Sequence, residues 1–320
     1  MPAWLFYLTL HLVFFLVINM AQWNAGQLTV GQFELANILD PLWASIPLVF
    51  LHSASNLAGP ALDMFREMIN TSNAEFDQIK YEFLNLPAQI MWVIFGIFSV
   101  LLTTITIIDP QGFTGFTNAF SVIAFLVLGI LGFSLTFTFI VHTYRRVILV
   151  NHIYQRLGTL NLFDLGPIFS LSGLTTRSAI GIVLIANQDF ISNVITTSSE
   201  QDFALAIANT LTIFVIGSAA ILIPLLGIHR KLQAEKNRLK QDNAKRIHKA
   251  NDVLNQRMDQ SEFENISGFS SGLEALFLFR DRINKIPTWP WDWAAIRGFI
   301  SAVFLPLAIW AIQSLLTRFL

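Results

Sequence analysis

The stretch "IMWVIFGIFSVLLTTITII" (Ile90–Ile108) holds no Asp, Glu, Lys or Arg, and "AFSVIAFLVLGILGFSLTFTFIV" (Ala119–Val141) repeats the pattern a few residues later. Each is close to the roughly 20 residues a helix needs to cross about 30 Å of hydrocarbon. Neither shows the short alternating segments of a membrane barrel strand. Both therefore read as membrane helices.

Composition extends that reading to the whole chain. Hydrophobic residues make up 54% and charged ones 13%, against about 25% charged in an ordinary soluble domain. A chain so apolar cannot cover its surface with polar groups in water. Cysteine is absent, which removes disulfides, thiolate nucleophiles and cysteine metal sites. The fold class is all-α, a polytopic bundle with a layer of amphipathic helices on the cytoplasmic side.

Three further runs are clear spans: Trp4–Met20, Phe203–Ile228 and Gly298–Leu316. Trp4–Met20 has no Lys or Arg before it, so it reads as a retained helix rather than a signal peptide. Two weaker runs need the charges to arbitrate. Pro41–Pro60 carries His52, Asn56 and Pro47, and Ser178–Ile195 carries Asn187, Gln188 and Asp189. Lys and Arg collect on the cytoplasmic side. Arg145 and Arg146 follow one helix, and Arg230, Lys231, Lys236, Arg238 and Lys240 follow another. Two inside ends require an even number of crossings between them, so Ser178–Ile195 must cross. Arg66 and Lys80 place residues 61–89 inside, which makes Pro41–Pro60 a crossing too.

Seven crossings result, with the N-terminus cytoplasmic, in a plasma membrane of bacterial type. The chain divides into spans at 1–60, 90–141, 178–228 and 297–320, and cytoplasmic segments at 61–89, 142–177 and 229–296. Only Arg318 among the 20 Lys and Arg falls outside.

Within the first cytoplasmic segment, Ser72 with Glu75 forms a capping box ahead of Phe76, Ile79 and Phe83. The second is too rich in Leu, Ile and Phe between Leu160 and Leu171 to be an exposed loop, and predicts interfacial helices lying against the inner leaflet or against the bundle. The third carries nine Lys or Arg against three acids from His229 to Arg257, with no Gly or Pro. It predicts a helix that leaves the membrane, with an apolar edge but no sustained heptad. A Gly/Ser-rich break at 264–272 follows, and Ser271 with Glu274 predicts a second capped helix.

The last segment ends in "IPTWPWDWAAIRGF" (Ile286–Phe299). Trp289, Trp291 and Trp293 stand at alternate positions, and Pro287 and Pro290 forbid a continuous helix there. Indole rings prefer the headgroup layer, so the three read as an interfacial collar. A stacking surface for a sugar or a quinone is the alternative use.

Candidate chemistry is sparse. His11 and His52 lie near the middles of the first two helices, where two imidazoles at similar depth would ligate a haem or relay a proton. Hydrogen bonding across helices as packing glue is the weightier reading, since nothing else in the chain supports a redox group. Asp189, beside Asn187 and Gln188, would serve an ion or proton pathway unless it sits at the outer headgroups. Arg230, Lys231, Lys236, Arg238, Lys240, Lys245, Arg246 and Lys249 would contact anionic lipid or a protein partner, though enforcing topology explains the same charges. Nucleic acid is excluded because no stacking aromatics interleave with them. "GFSSG" (Gly268–Gly272) matches a nucleophile elbow by letters only, since no strand precedes it. No phosphate loop, zinc motif or dinucleotide fingerprint occurs.

Three functions are therefore expected, in order: a scaffold or signalling protein acting through its cytoplasmic helices, a small-solute or ion transporter using Asp189, and a haem or redox protein using His11 and His52. Nothing points to an enzyme or to any other cofactor.

Overall fold

A peptide group inside hydrocarbon has no water to bond, so a charge-free run must satisfy its own backbone. Every such run in this chain is helical. The structure, a computed structural model, describes residues 2–34, 36–66, 68–69, 71–156, 160–196, 203–260, 266–291 and 293–319. Its helices are α1 (Ala3–Asn24), α2 (Ala36–Leu39), α3 (Leu42–Asp63), α4 (Asn73–Leu84), α5 (Ala88–Ile108), α6 (Pro110–Thr114), α7 (Ala119–Gln155), α8 (Gly166–Thr196), α9 (Phe203–Asp259), α10 (Ile266–Lys285) and α11 (Trp293–Phe319). There is no strand among the described residues.

The outward faces establish the medium. Trp92, Val100, Ile107 and Ile108 on α5 are 70 to 78% exposed, and similar side chains project from α1 and α7. Apolar surface on that scale needs a partner, and lipid supplies it. The protein is a multi-pass helical membrane protein. Six helical stretches among the described residues are long and apolar enough to cross: Ala3–Asn24, Asn37–Asp63, Asn73–Ile108, Ala119–Gln155, Gly166–Gln188 and Ile296–Leu315. The seventh expected crossing, Phe203–Ile228, is helical as the first part of α9, but described side chains give a shorter apolar stretch, Thr210–Ala219.

Long helices alternate in direction. Ser121 Oγ donates to Ala21 O (2.6 Å), and Asn118 Nδ2 to Asn24 O (3.4 Å), joining the end of α1 to the start of α7. At the other end lie Arg66, Lys80, Arg145, Arg146, Arg156 and Arg177, whereas residues 109–118 contain no Lys or Arg. The buried core gathers toward this basic end, around Leu62, Phe65, Phe83, Tyr154, Ile168 and Leu171. Helix α8 is the axis of the bundle: 61% of its most apolar window is buried, against 11% for α1.

Three expectations change in detail. Helix α8 starts at Gly166, so the apolar residues before Ser178 do not form separate surface helices. Ile168, Leu171 and Leu174 instead pack into the core. Helix α3 is shifted toward the basic end. Phe98, the middle residue of α5, stacks on Phe133 at 5.8 Å, and Trp43 packs against the same ring at 5.6 Å. The second residue of α3 thus lies near mid-bundle, and the break between α2 and α3 sits inside. Finally, α10 begins at Ile266. Ser271 is not a cap; its Oγ donates to Ser267 O at 3.0 Å inside the helix. Ser72, by contrast, accepts from Glu75 N as expected.

Close approach at the axis depends on glycine. A Cβ on Gly181 would lie 2.8 Å from both Phe139 Cζ and Phe50 Cγ, whereas one on Gly173 meets nothing within 4 Å. Gly181→Ala should lower stability by about 1–3 kcal/mol through overpacking, read as an earlier thermal midpoint in detergent. Gly173→Ala, at the same helical cost saved, should leave the midpoint unchanged or slightly raised.

Candidate functional site

Pro287 ends α10, and Pro290 keeps the next residues out of a helix. In the non-helical connector between α10 and α11, residues two apart face the same side. Trp289 and Trp291 obey this and stack at 4.5 Å with an interplanar angle of 6°. His229, on α9, stacks on the other face of Trp289 at 3.9 Å and 13°. His229 Nδ1 lies 2.9 Å from Thr288 O. A carbonyl only accepts, so Nδ1 carries the hydrogen in this bond. The expected collar is thus divided. Trp289 and Trp291 are half-buried in the stack, while Trp293, the first residue of α11, is 74% exposed.

These rings line a cavity of about 1050 Å³. Its other walls are the end of α3 (Leu57, Pro60, Ala61), the first half of α8 (Gly166 to Ile180) and the start of α11. Among the described residues, Arg177 is the only charged one in the lining. It is exposed and makes no hydrogen bond or ion pair among the described residues. Gly298 of α11 lies against Ile180, so Arg177 stands just beyond the beginning of the Ile296–Leu315 apolar stretch.

The histidines of the first two helices do not converge. His11 faces Ser45 Oγ at 3.5 Å, and His52 meets the Tyr7 ring edge-on at 6.0 Å. Tyr7 and His11 are four residues apart on α1, so the imidazoles differ in depth by about 6 Å. His52 lines a smaller cavity of about 460 Å³ with Phe6, Tyr7 and Ser55. Beside it, Arg146 is 4% exposed and donates to Ser55 Oγ (2.8 Å) and Phe83 O (3.1 Å). No group of three or more His, Asp or Glu suited to a metal occurs among the described residues. The Asp189 side chain lies outside the described ones. Its neighbours Asn187 and Gln188 are buried, donating to Ala302 O (3.4 Å) and Leu39 O (3.2 Å), with Oδ1 and Oε1 unpaired.

The basic residues of α9 separate into two groups. Lys231 donates to Tyr154 O (2.7 Å) and Gln155 O (3.0 Å), closing the C-terminus of α7. Lys236 donates to Asn284 O (2.9 Å) and Ile286 O (2.5 Å), closing that of α10. A cation at the negative end of a helix dipole is favourable there. Burial, and then the charge of Lys240, hold the Lys236 ammonium below the usual lysine range; the two carbonyls act against that shift. Arg238 pairs with Glu235 at 2.5 Å, and Lys240 is half-buried. Arg230, Lys245, Arg246 and Lys249 are exposed.

No known protein family, characterised protein or solved structure matches the chain.

Aromatic contacts beyond simple burial contribute about 0.5–1.5 kcal/mol per pair, and Trp289 has two such partners. Trp289→Ala should therefore lower the thermal midpoint by several degrees. Trp293→Ala, removing a ring already in the surroundings, should not, and equal losses would contradict the stack.

Proposed function

We propose that the protein is a membrane-embedded scaffold or signalling protein that docks an acidic protein surface on a helical hairpin. What supports this is the form of α9, one helix of 57 residues that begins in the bundle and continues beyond it. Helix α10 returns along it. Asn243 Nδ2 donates to Leu276 O at 3.1 Å, and Arg257 lies 4.5 Å over the Phe269 ring. In this paired arm, Ile247, Ala250 and Leu254 are half-buried, while Val253, Met258 and Leu278 stay exposed.

From Lys231 to Asp259 the arm reaches about 40 Å at 1.5 Å per residue. Lys245, Arg246 and Lys249 lie about 20–27 Å along it. The field of an anionic membrane fades within a Debye length of about 8 Å. Distal charges on such an arm are too far out for headgroups, which favours a protein partner over lipid. The excess of Lys and Arg puts the arm on the cytoplasmic side.

The chain has no cysteine, so a single Gln241→Cys, at an exposed position, can carry a thiol-directed photo-crosslinker in intact cells. One discrete heavier adduct is expected, reduced at least tenfold when Lys245, Arg246 and Lys249 are all changed to Gln. No adduct, or one indifferent to those charges, contradicts the reading.

A second reading is transport. Its support is the α2–α3 break inside the bundle, which resembles the discontinuous helices of transporters, with buried Asn37, Asn187 and Gln188 beside it. A liposome flux unchanged by Gln188→Leu would remove that support.

A further inference from the structure

We infer that the cavity at the break between α2 and α3 binds a lipophilic organic cation, its charge paired with the Asp40 carboxylate and its apolar body set among Phe14, Trp43 and Phe125. A space of about 240 Å³ lies there between α1, α3 and α7, and all four residues line it. Asp40 carries the only side-chain oxygen among the described lining residues.

Depth gives that carboxylate its meaning. Trp43 packs on Phe133, the ring on which Phe98, the middle residue of α5, also stacks. Trp43 N donates to Asp40 O at 3.3 Å, so Asp40 stands within one turn, about 5 Å, of that level. A second ruler agrees. Ser121 Oγ bonds Ala21 O where α1 meets the start of α7, and Phe14, a further two turns along α1, lies about 10 Å deeper. Hydrocarbon extends about 15 Å to either side of its middle, so the carboxylate is inside it. An ionisable group at such depth is costly and marks a site or a pathway. The start of α3, two residues on at Leu42, favours its charged form through the helix dipole.

The walls choose among cations. A hard metal ion seeks a shell of oxygens, whereas rings and methyl groups suit a cation that carries its own carbon. Aromatic faces attract such a charge within about 6 Å of the ring centre. Phe14 has no ring partner among the described residues. Trp43 and Phe125 have one each, Phe133 and Phe116, so each keeps a face that no other ring covers. The volume falls just short of the ~300–1,000 Å³ of drug-sized sites, which sets the ligand at one ring bearing a small ammonium. Asp40 has an interaction of its own within the chain. An ionised carboxylate accepts at about four positions, so a bound cation adds to that contact.

The site deepens the transport reading, whose helix break it shares, by naming a substrate class, yet its occupancy is measured without flux. Binding without flux would remove transport and leave the site standing; flux without binding would do the reverse.

The test is equilibrium dialysis of radiolabelled phenyltrimethylammonium against the full chain in a neutral detergent. Its uncharged isostere, tert-butylbenzene, and sodium serve as competitors. One cation per chain should bind saturably. Displacement by tert-butylbenzene should be at least tenfold weaker than by unlabelled cation, and an equal concentration of sodium should not displace it. Asp40→Asn should weaken binding at least tenfold, Asp40→Glu retain part of it, and Phe14→Ala weaken it severalfold. Glu274→Gln, exposed on α10, should leave it intact. Equal displacement by tert-butylbenzene reduces the cavity to an apolar groove and overturns the proposal, as does binding indifferent to Asp40→Asn. Displacement by sodium at the same concentration makes the site one for a metal ion and overturns the organic-cation assignment. If Asp40→Asn fails to elute as the parent does, the isostere comparison and Phe14→Ala still decide.

Discussion

Helix ends govern this structure more than helix middles do. In the interior of a span each carbonyl finds an amide one turn away, but the last turn of every helix leaves carbonyls without partners. A bundle of long helices multiplies those ends, and here they are closed by side chains from other helices. Lys231 closes α7 and Lys236 closes α10, while Arg146 reaches Phe83 O at the end of α4. Each closure uses a charge that composition alone assigns to topology or to a partner. The same bonds decide where α9 stops belonging to the bundle.

From that anchoring follows the division of labour along α9. Its first half packs on α8 and α11, and its second half pairs with α10. Lys231 and Lys236 are engaged by carbonyls, so the exposed basic residues of α9 are Arg230 near the bundle and Lys245, Arg246 and Lys249 farther out. Between the two halves sits His229, stacked on the connector that shapes the large cavity. An arm and a cavity thus share one element, joined by rings in direct contact.

Inside the bundle the polar groups behave differently. Asn19, Gln22 and Asn37 bond to one another where α2 interrupts the entry to α3. Irregular backbone at that depth is tolerated only when protein groups satisfy it, and Gln188 of α8 does so by donating to Leu39 O. Asn37 of α2 thus pairs with Asn19 and Gln22 of α1, while His11 and His52 meet separate partners, Ser45 and Tyr7.

How much of this was readable in advance depends on the range of each signal. Charge-free runs near 20 residues, the Ser72 cap and the unbroken basic helix follow from local chemistry and from the bilayer's thickness, and the sequence by itself determined them. Alternate tryptophans between prolines likewise announced a non-helical connector near an interface. What only the tertiary structure decided is which face each residue presents. Helix α8 begins early because Ile168 and Leu171 find the core formed by α3 and α7, a contact invisible to periodicity. Ser271 lies within α10 because packing along α9, with Phe269 under Arg257, outweighs two glycines. Arg177 became the one charge among the described residues lining a cavity only when α3 and the tryptophan connector closed around it, because a cavity is made by distant segments and leaves no pattern in any one of them.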